Sequence, residues 1–137
     1  LASGSDDKTV KLWDTRDWRV TRTLTGESEC VYAVAFSPDG RTLISGSRDR
    51  KVLGEFLQYH FDYTGRANGV TLRIWDVESG ELLQSMNEHA DNVSSVAYSP
   101  DGHYFASAGQ DSTVRIWNVA GPRAPDYHDA GRRSSPR

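Results

Sequence analysis

A short signature occurs three times in these 137 residues and limits what the chain can fold into: an aspartate, then a strand that ends in tryptophan. The copies run Asp7 to Trp13, Asp49 to Trp75 and Asp111 to Trp117. Asp7 and Asp49 stand 42 residues apart, as do Trp75 and Trp117, and a period of roughly 40–45 residues is that of repeats made of four short strands. Asp49 to Asp111 and Trp13 to Trp75 are instead both 62 residues apart, so 20 extra residues lie between Asp49 and Trp75. Aligning the copies places this insert at Lys51 to Val70. Without it Arg50 meets Thr71, and one register runs through the whole series.

Each unit reads as short strands and tight turns. Val31 to Phe36 and Val93 to Tyr98 are apolar at alternating positions of both faces, which predicts strands buried on two sides. Each runs into Ser-Pro-Asp-Gly, at Ser37 to Gly40 and Ser99 to Gly102, where proline presets the first turn angle and glycine permits the exit. Strands Thr42 to Gly46 and Tyr104 to Gly109 follow. The corner strands Val10 to Trp13, Leu72 to Trp75 and Val114 to Trp117 alternate apolar with polar residues, which predicts one buried face. More polar outer strands are expected near Arg19 to Leu24 and Glu81 to Met86, and no helical period appears.

The three registered corners, the two Ser-Pro-Asp-Gly turns and the pairs Trp13-Asp14 and Trp75-Asp76 make residues 1–119 resemble the WD40 repeat family. Two departures stand out: Trp117 is followed by Asn118, and the Gly-His that precedes the inner strand in that family is replaced by Gly26-Glu27 and Glu88-His89. The resemblance implies an all-β fold, a fragment of a WD40 β-propeller of about three four-stranded blades, incomplete at both ends. Strand counting gives three, four and three, because no outer strand is expected after the third corner. The tail, residues 120–137, loses its alternation, carries Pro122, Pro125 and Pro136, and is expected to be disordered. Its Arg132-Arg133-Ser134-Ser135-Pro136 reads as solvated chain or as a phosphorylation site.

Composition narrows the function. Sixteen basic and nineteen acidic residues give a formal charge of -3, with no global field toward nucleic acid or an anionic membrane. Cys30 is the single cysteine, so no internal disulfide forms, and no apolar run is long enough to span a bilayer. The chain reads as intracellular, in cytoplasm or nucleus. It opens at Leu1 in mid-pattern, as expected of a segment of a longer protein.

His89, Ser107 and Asp111 have the composition of a hydrolase triad, but no Gly-x-Ser-x-Gly elbow is present. The family resemblance assigns them, with Trp117, to a structural hydrogen-bond network. The matching sets are Ser45, Asp49 and Trp75, with Glu27 in the histidine position, and Ser3, Asp7 and Trp13. Glu27 would face Asp49, so it is expected to point to solvent and to leave the second blade weaker. His60, His89, His103 and His128 lie far apart, no phosphate-binding glycine loop precedes a helix, and neither metal nor cofactor is called for.

The expected function is therefore a non-catalytic scaffold that binds other proteins or peptides on the rim carrying the aspartate turns. The candidate contacts are Phe56, Tyr59, Phe61 and Tyr63 of the insert, with Arg48, Arg50, Asp91 and Gln110 beside it. Three readings of the insert stay open: a partner-contacting loop, a passive excursion, and a retained intervening sequence. Trp13-Asp14-Thr15-Arg16 resembles the Trp-Asp-x-Arg box of cullin-type ubiquitin ligase substrate receptors, which makes Arg16 a candidate adaptor contact and supplies a second function. A third is a repeat sensor segment of a larger signalling ATPase. Three blades fall short of the four to eight of a closed ring, so either missing blades or self-association is expected.

Overall fold

The computed structural model describes residues 1–26, 30–48, 71–89, 91–119 and 127–129. These residues form eleven strands and no helix: β1 (Ala2–Gly4), β2 (Val10–Asp14), β3 (Arg19–Leu24), β4 (Val31–Phe36), β5 (Thr42–Ser47), β6 (Leu72–Asp76), β7 (Leu82–Met86), β8 (Val93–Tyr98), β9 (Tyr104–Gly109), β10 (Val114–Asn118) and β11 (Tyr127–Asp129). They make three antiparallel meanders in chain order: β1 to β3 (blade 1), β4 to β7 (blade 2) and β8 to β11 (blade 3). The architecture is the open arc of blades that the repeat implied.

The turns form for the reasons their residues supply. In Ser37 to Gly40 the serine hydroxyl donates to Asp39 Oδ1 at 2.6 Å and accepts from Thr42 N at 3.0 Å, closing the hairpin from inside. Gly40 and Gly102 leave these turns at φ +72 and +74, a backbone region that favours glycine. The outer turns of blades 1 and 2 also share one geometry, with Trp18 N and Gly80 N each donating to the aspartate carbonyl four residues earlier, at 2.8 Å. Gly80 has φ +76, yet its counterpart is a tryptophan at φ +58. A bulky side chain in that region costs about 1–2 kcal/mol.

The core does not lie inside any one blade. One cluster joins Val10, Leu12 and Leu24 of blade 1 to Val31, Leu43 and Trp75 of blade 2. The other joins Ile44, Leu72 and Met86 of blade 2 to Val93, Val96, Phe105 and Trp117 of blade 3. The sheet of blade 2 therefore presents one face to the preceding blade, through its tryptophan, and the other to the blade that follows. Two glycines set the spacing between the sheets. A Cβ on Gly4 would lie 2.6 Å from Val31 Cγ1, and one on Gly46 would lie 2.7 Å from Val93 Cγ1. Ala108 holds the same register position in blade 3. At the outer edge Arg22 of β3 donates to Glu78 O at 2.7 Å and to Ser79 O at 2.9 Å, clasping blade 1 to blade 2.

Three expectations need correction. Blade 3 has an outer strand after all: β11 pairs with β10 through Trp117 and Tyr127, Ile116 and His128, and Arg115 and Asp129. The unpaired edge of β10 accepts three residues of a segment with little alternation of its own, and the rest of the tail lies outside the described residues. The inner strands are buried less fully than expected, since Tyr32 and Phe36 are exposed while Val31 is buried. Both faces of β4 meet a cluster, Val34 packing into the one between blades 1 and 2 and Ala33 and Ala35 into the one between blades 2 and 3, so exposure is confined to particular positions. Burial of the corner strands depends on the neighbour rather than on the strand. In β6 both Leu72 and Arg73 are buried, whereas Val114, at the register position of Leu72, is 41% exposed because no further blade lies against it among the described residues.

The insert Lys51 to Val70 lies outside the described residues, but its flanks are placed. Ser47 N donates to Thr71 O at 2.9 Å, and Gly109 N donates to Thr113 O at 3.1 Å. Thr71 thus stands where Thr113 stands one blade later.

The close approach at Gly46 is testable. Gly46→Ala is expected to cost about 1–3 kcal/mol by forcing the sheets apart. In urea unfolding, Gly46→Ala combined with Val93→Ala should cost less than the sum of the two single changes. Simple additivity would mean that the two residues do not collide.

Candidate functional site

Every blade carries one buried or half-buried polar pair. In the ladders Ser3 faces Lys11, Ser45 faces Arg73 and Ser107 faces Arg115. The tryptophan two residues beyond each basic residue then stands diagonally on the serine's face of the sheet. The indole N–H donates to the serine Oγ at 2.9 Å in blade 1, 2.9 Å in blade 2 and 2.8 Å in blade 3. A large apolar ring is thereby packed between blades without leaving its donor unmet.

Blade 3 extends the pair into a relay. His89 Nε2 lies 2.6 Å from Ser107 Oγ, and His89 Nδ1 lies 3.0 Å from Asp111 Oδ2. One proton assignment satisfies the set: the indole donates to Ser107, the serine hydroxyl to His89 Nε2, and His89 Nδ1–H to the carboxylate. Asp111 also holds its own turn, its Oδ1 accepting from Thr113 N at 3.1 Å and Thr113 Oγ1 at 2.7 Å. Asp7 does the same for Thr9 N at 3.0 Å and Thr9 Oγ1 at 2.6 Å, and the threonine hydroxyl bond draws the Asp7 carboxyl below its ordinary value. Asp49 and Glu27 lie outside the described residues.

Serine, histidine and aspartate here have the connectivity of a hydrolase triad. Their surroundings oppose that chemistry. Ser107 is 1% exposed and His89 is 0% exposed, so a carbonyl has no path to the hydroxyl. The serine oxygen is moreover already an acceptor for the indole. The arrangement ties the loop before β8 to the turn before β10. No cluster of His, Cys, Asp and Glu suited to a metal ion occurs among the described residues.

Around the relay lies the rim. Asn92 Nδ2 donates to Gln110 Oε1 at 2.9 Å, Gln110 N donates to Asn92 O at 2.8 Å, and Asn92 N donates to Asp91 Oδ1 at 2.8 Å. Arg48 N donates to Cys30 O at 3.1 Å, the same backbone bond one blade earlier. Gln110 is exposed, while Asp91 and Arg48 are half-buried. At the turn tips Lys8 and Ser112 adopt φ 69 and 65, and both are exposed. The other candidate contacts, Arg50, Phe56, Tyr59, Phe61 and Tyr63, lie outside the described residues.

Arg16 lies on the opposite rim, its side chain 88% exposed. Its guanidinium forks onto Asp14, Nε to Oδ1 at 3.1 Å and Nη2 to Oδ2 at 2.7 Å, which lowers the carboxyl's pKa and raises that of the arginine. Also on this rim, Asp101 accepts from Ser99 Oγ at 2.5 Å and His103 N at 3.0 Å. The serine bond above all brings its pKa from 3.8 to about 2.

Residues 1–14, 18–53 and 80–118, more than half of the chain, match the family model described as WD domain, G-beta repeat. The chain belongs to the WD-repeat family. Among curated relatives, nuclear distribution protein PAC1 of Arthroderma otae is 34% identical over 129 residues, covering 88% of this chain and 24% of that protein. WD repeat-containing protein SL1-17 of Schistosoma mansoni is 36% identical over 142 residues, covering 86% of this chain and 46% of that protein. Human WD repeat and SOCS box-containing protein 1 is 30% identical over 121 residues, covering 87% and 24%. The chain thus spans a quarter to a half of the length of these relatives, and none of their names is that of an enzyme.

As WD repeats, the blades share the serine–tryptophan pair but differ in what surrounds it. Sequence reasoning missed the threonine hydroxyls that brace Asp7 and Asp111, although Asp-x-Thr recurs at both places and the short side chains could have signalled a braced turn. It also missed the Arg22 clasp, which no local pattern announces.

Two measurements check this site. Ser107→Ala removes the partner of both the Trp117 N–H and His89 Nε2, and a loss of about 2–4 kcal/mol is expected. Ser3→Ala, in a part-exposed pair, should lose only about 0.5–1.5 kcal/mol. Equal losses in thermal melts would show that the relay adds nothing to the pair. For pH, the lowered Asp101 pKa means that the turn is stabilised fully above about pH 4 and loses that stabilisation as pH falls toward the folded value. The Asp101 carboxyl resonance should titrate near 2, and Ser99→Ala should move its midpoint up toward 3.8.

Proposed function

We propose that this WD-repeat segment is a non-catalytic scaffold that docks proteins or peptides on the rim of its aspartate turns. One observation carries the reading. The groups able to do chemistry, His89 and Ser107, are sealed between blades, while Lys8, Gln110 and Ser112 stand outward on braced turns of the same rim. A rigid backbone with exposed polar tips supports recognition, because the contacts need little ordering on binding. Residues from several turns lie on one edge, so an extended segment crossing the blades would meet each in turn. The partners are intracellular proteins or peptides, in keeping with a relative named for nuclear distribution. Membrane and nucleic acid are not proposed as partners, since the formal charge of -3 gives no attraction to polyanions.

A second reading, docking to a cullin-type ubiquitin ligase adaptor, draws on the relative whose name includes a SOCS box. It is the weaker of the two, since Arg16 must give up its fork with Asp14 before it reaches an adaptor.

Displayed peptide libraries panned against the immobilised chain separate the two. Binders selected on the parent should lose affinity by about tenfold with Gln110→Ala and Lys8→Glu together, and keep it with Arg16→Ala. Unchanged binding by the rim variant removes the scaffold reading in its present form. Adaptor binding abolished by Arg16→Ala would favour the second.

A further inference from the structure

The outer perimeter of blades 1 and 2 carries exposed apolar side chains that neither rim accounts for. Trp18 is 63% exposed and Val20 42% on the first blade, with Leu82 at 45% and Leu83 at 55% on the second. Val20 and Leu82 hold the same register, each opposite the tryptophan of its corner strand. The two outer edges are clasped to one another. Arg22 reaches from β3 to the carbonyls of Glu78 and Ser79, and its stem lies so close over Gly80 that a Cβ there would meet Arg22 Cδ at 2.7 Å.

Trp18 is the oddest member. It occupies a left-handed position at φ 58, where the same turn one blade later has glycine at φ +76. Folding alone gives no reason for an indole there, because the turn closes equally well on Gly80. A strained, bulky and solvent-facing side chain points to contact with something outside the chain.

The charges indicate what that is. From Asp14 to Leu24 the blade 1 edge carries Arg16, Arg19 and Arg22 against Asp14 and Asp17, a net of +1. From Asp76 to Met86 the blade 2 edge carries Asp76, Glu78 and Glu81 with no basic residue, a net of -3. Each edge therefore has apolar side chains within a charge pattern that suits the other. In a two-fold pair of chains the basic edge of one meets the acidic edge of the other twice over, the self-complementary form such an interface requires.

We propose that this perimeter is an interface between two copies of the chain, with Trp18 as its anchor. The rim of the aspartate turns stays free in such a pair, so scaffold docking and pairing stand or fall separately.

Sedimentation equilibrium of the 137-residue chain over a concentration series tests the proposal. The parent should pass from monomer to dimer. Trp18→Gly places the favoured residue in the turn, so its thermal midpoint should hold or rise, while dimerisation weakens by at least about tenfold. Arg19→Glu alone and Glu81→Arg alone should each weaken the dimer, and the two together should restore it. A monomer at every concentration overturns the proposal. So does a dimer that Trp18→Gly leaves unchanged, or one that the charge reversals do not affect but Val114→Glu abolishes, since that pattern belongs to stacking through the open face of blade 3.

Discussion

Packing of each sheet against its neighbour is the interaction on which the rest of this structure depends. A single antiparallel meander of three or four short strands has two faces and no interior, and it gains stability only when a face is covered. Here the cover is always the next blade. Trp75 lies among blade 1 side chains and Trp117 among blade 2 side chains, so these two corner tryptophans belong by chain to one sheet and by packing to another. Phe105 stacks on Trp117 with ring centroids 5.6 Å apart, and Tyr98 tilts against Phe105 at 5.8 Å, which extends the second cluster toward the inner strand. Removing a blade therefore strips the apolar face of whatever sheet remains.

The polar relay follows from that packing. Bringing an indole between two sheets buries an N–H, and a buried donor without a partner costs more than the bond itself contributes in water. Serine on the adjacent strand meets the need with the smallest possible side chain. Once serine is buried its own proton needs an acceptor, and in blade 3 His89 provides it and passes the demand to Asp111 at the rim. The sequence of dependence runs from the ring inward to the hydroxyl and then outward to the carboxylate. The resemblance to a catalytic triad is a consequence of that chain of unmet hydrogen bonds, and burial is what separates the two outcomes.

How much of this could be read in advance depended on whether the determinant was local. Strands β2, β4, β8 and β10 announced themselves through alternation and through turns whose Ser-Pro-Asp-Gly chemistry has one reading. The members of the relay were likewise visible, because Ser107, Asp111 and Trp117 recur at fixed spacing from Ser3, Asp7 and Trp13. Apart from the threonines that brace Asp7 and Asp111, the failures were cases in which a neighbour decided the outcome. Val114 and Leu72 occupy one register and look alike in sequence, yet one is exposed and the other buried, according to which blade follows. Strand β11 has almost no pattern of its own and exists because β10 offers an unpaired edge. Trp18 reads as an unremarkable loop residue until its turn is laid over that of Gly80.

The point at which the 20-residue insert enters obeys the same logic. Its flanks end at the turn between β5 and β6, on the rim, where the hairpin of blade 3 closes in three residues from Gln110 to Ser112. The bond from Ser47 N to Thr71 O closes the ladder of blade 2 just as Gly109 N to Thr113 O closes that of blade 3. Enlarging a loop between ends already held together raises its closure entropy only logarithmically, by about 2 kcal/mol for this change in length. The same residues placed between β4 and β8 would have had to pass through an interblade core, where a Cβ at Gly46 already has no room. A propeller-type stack therefore confines extra chain to its rims, and the rim that accepts it here is the one the buried relay braces.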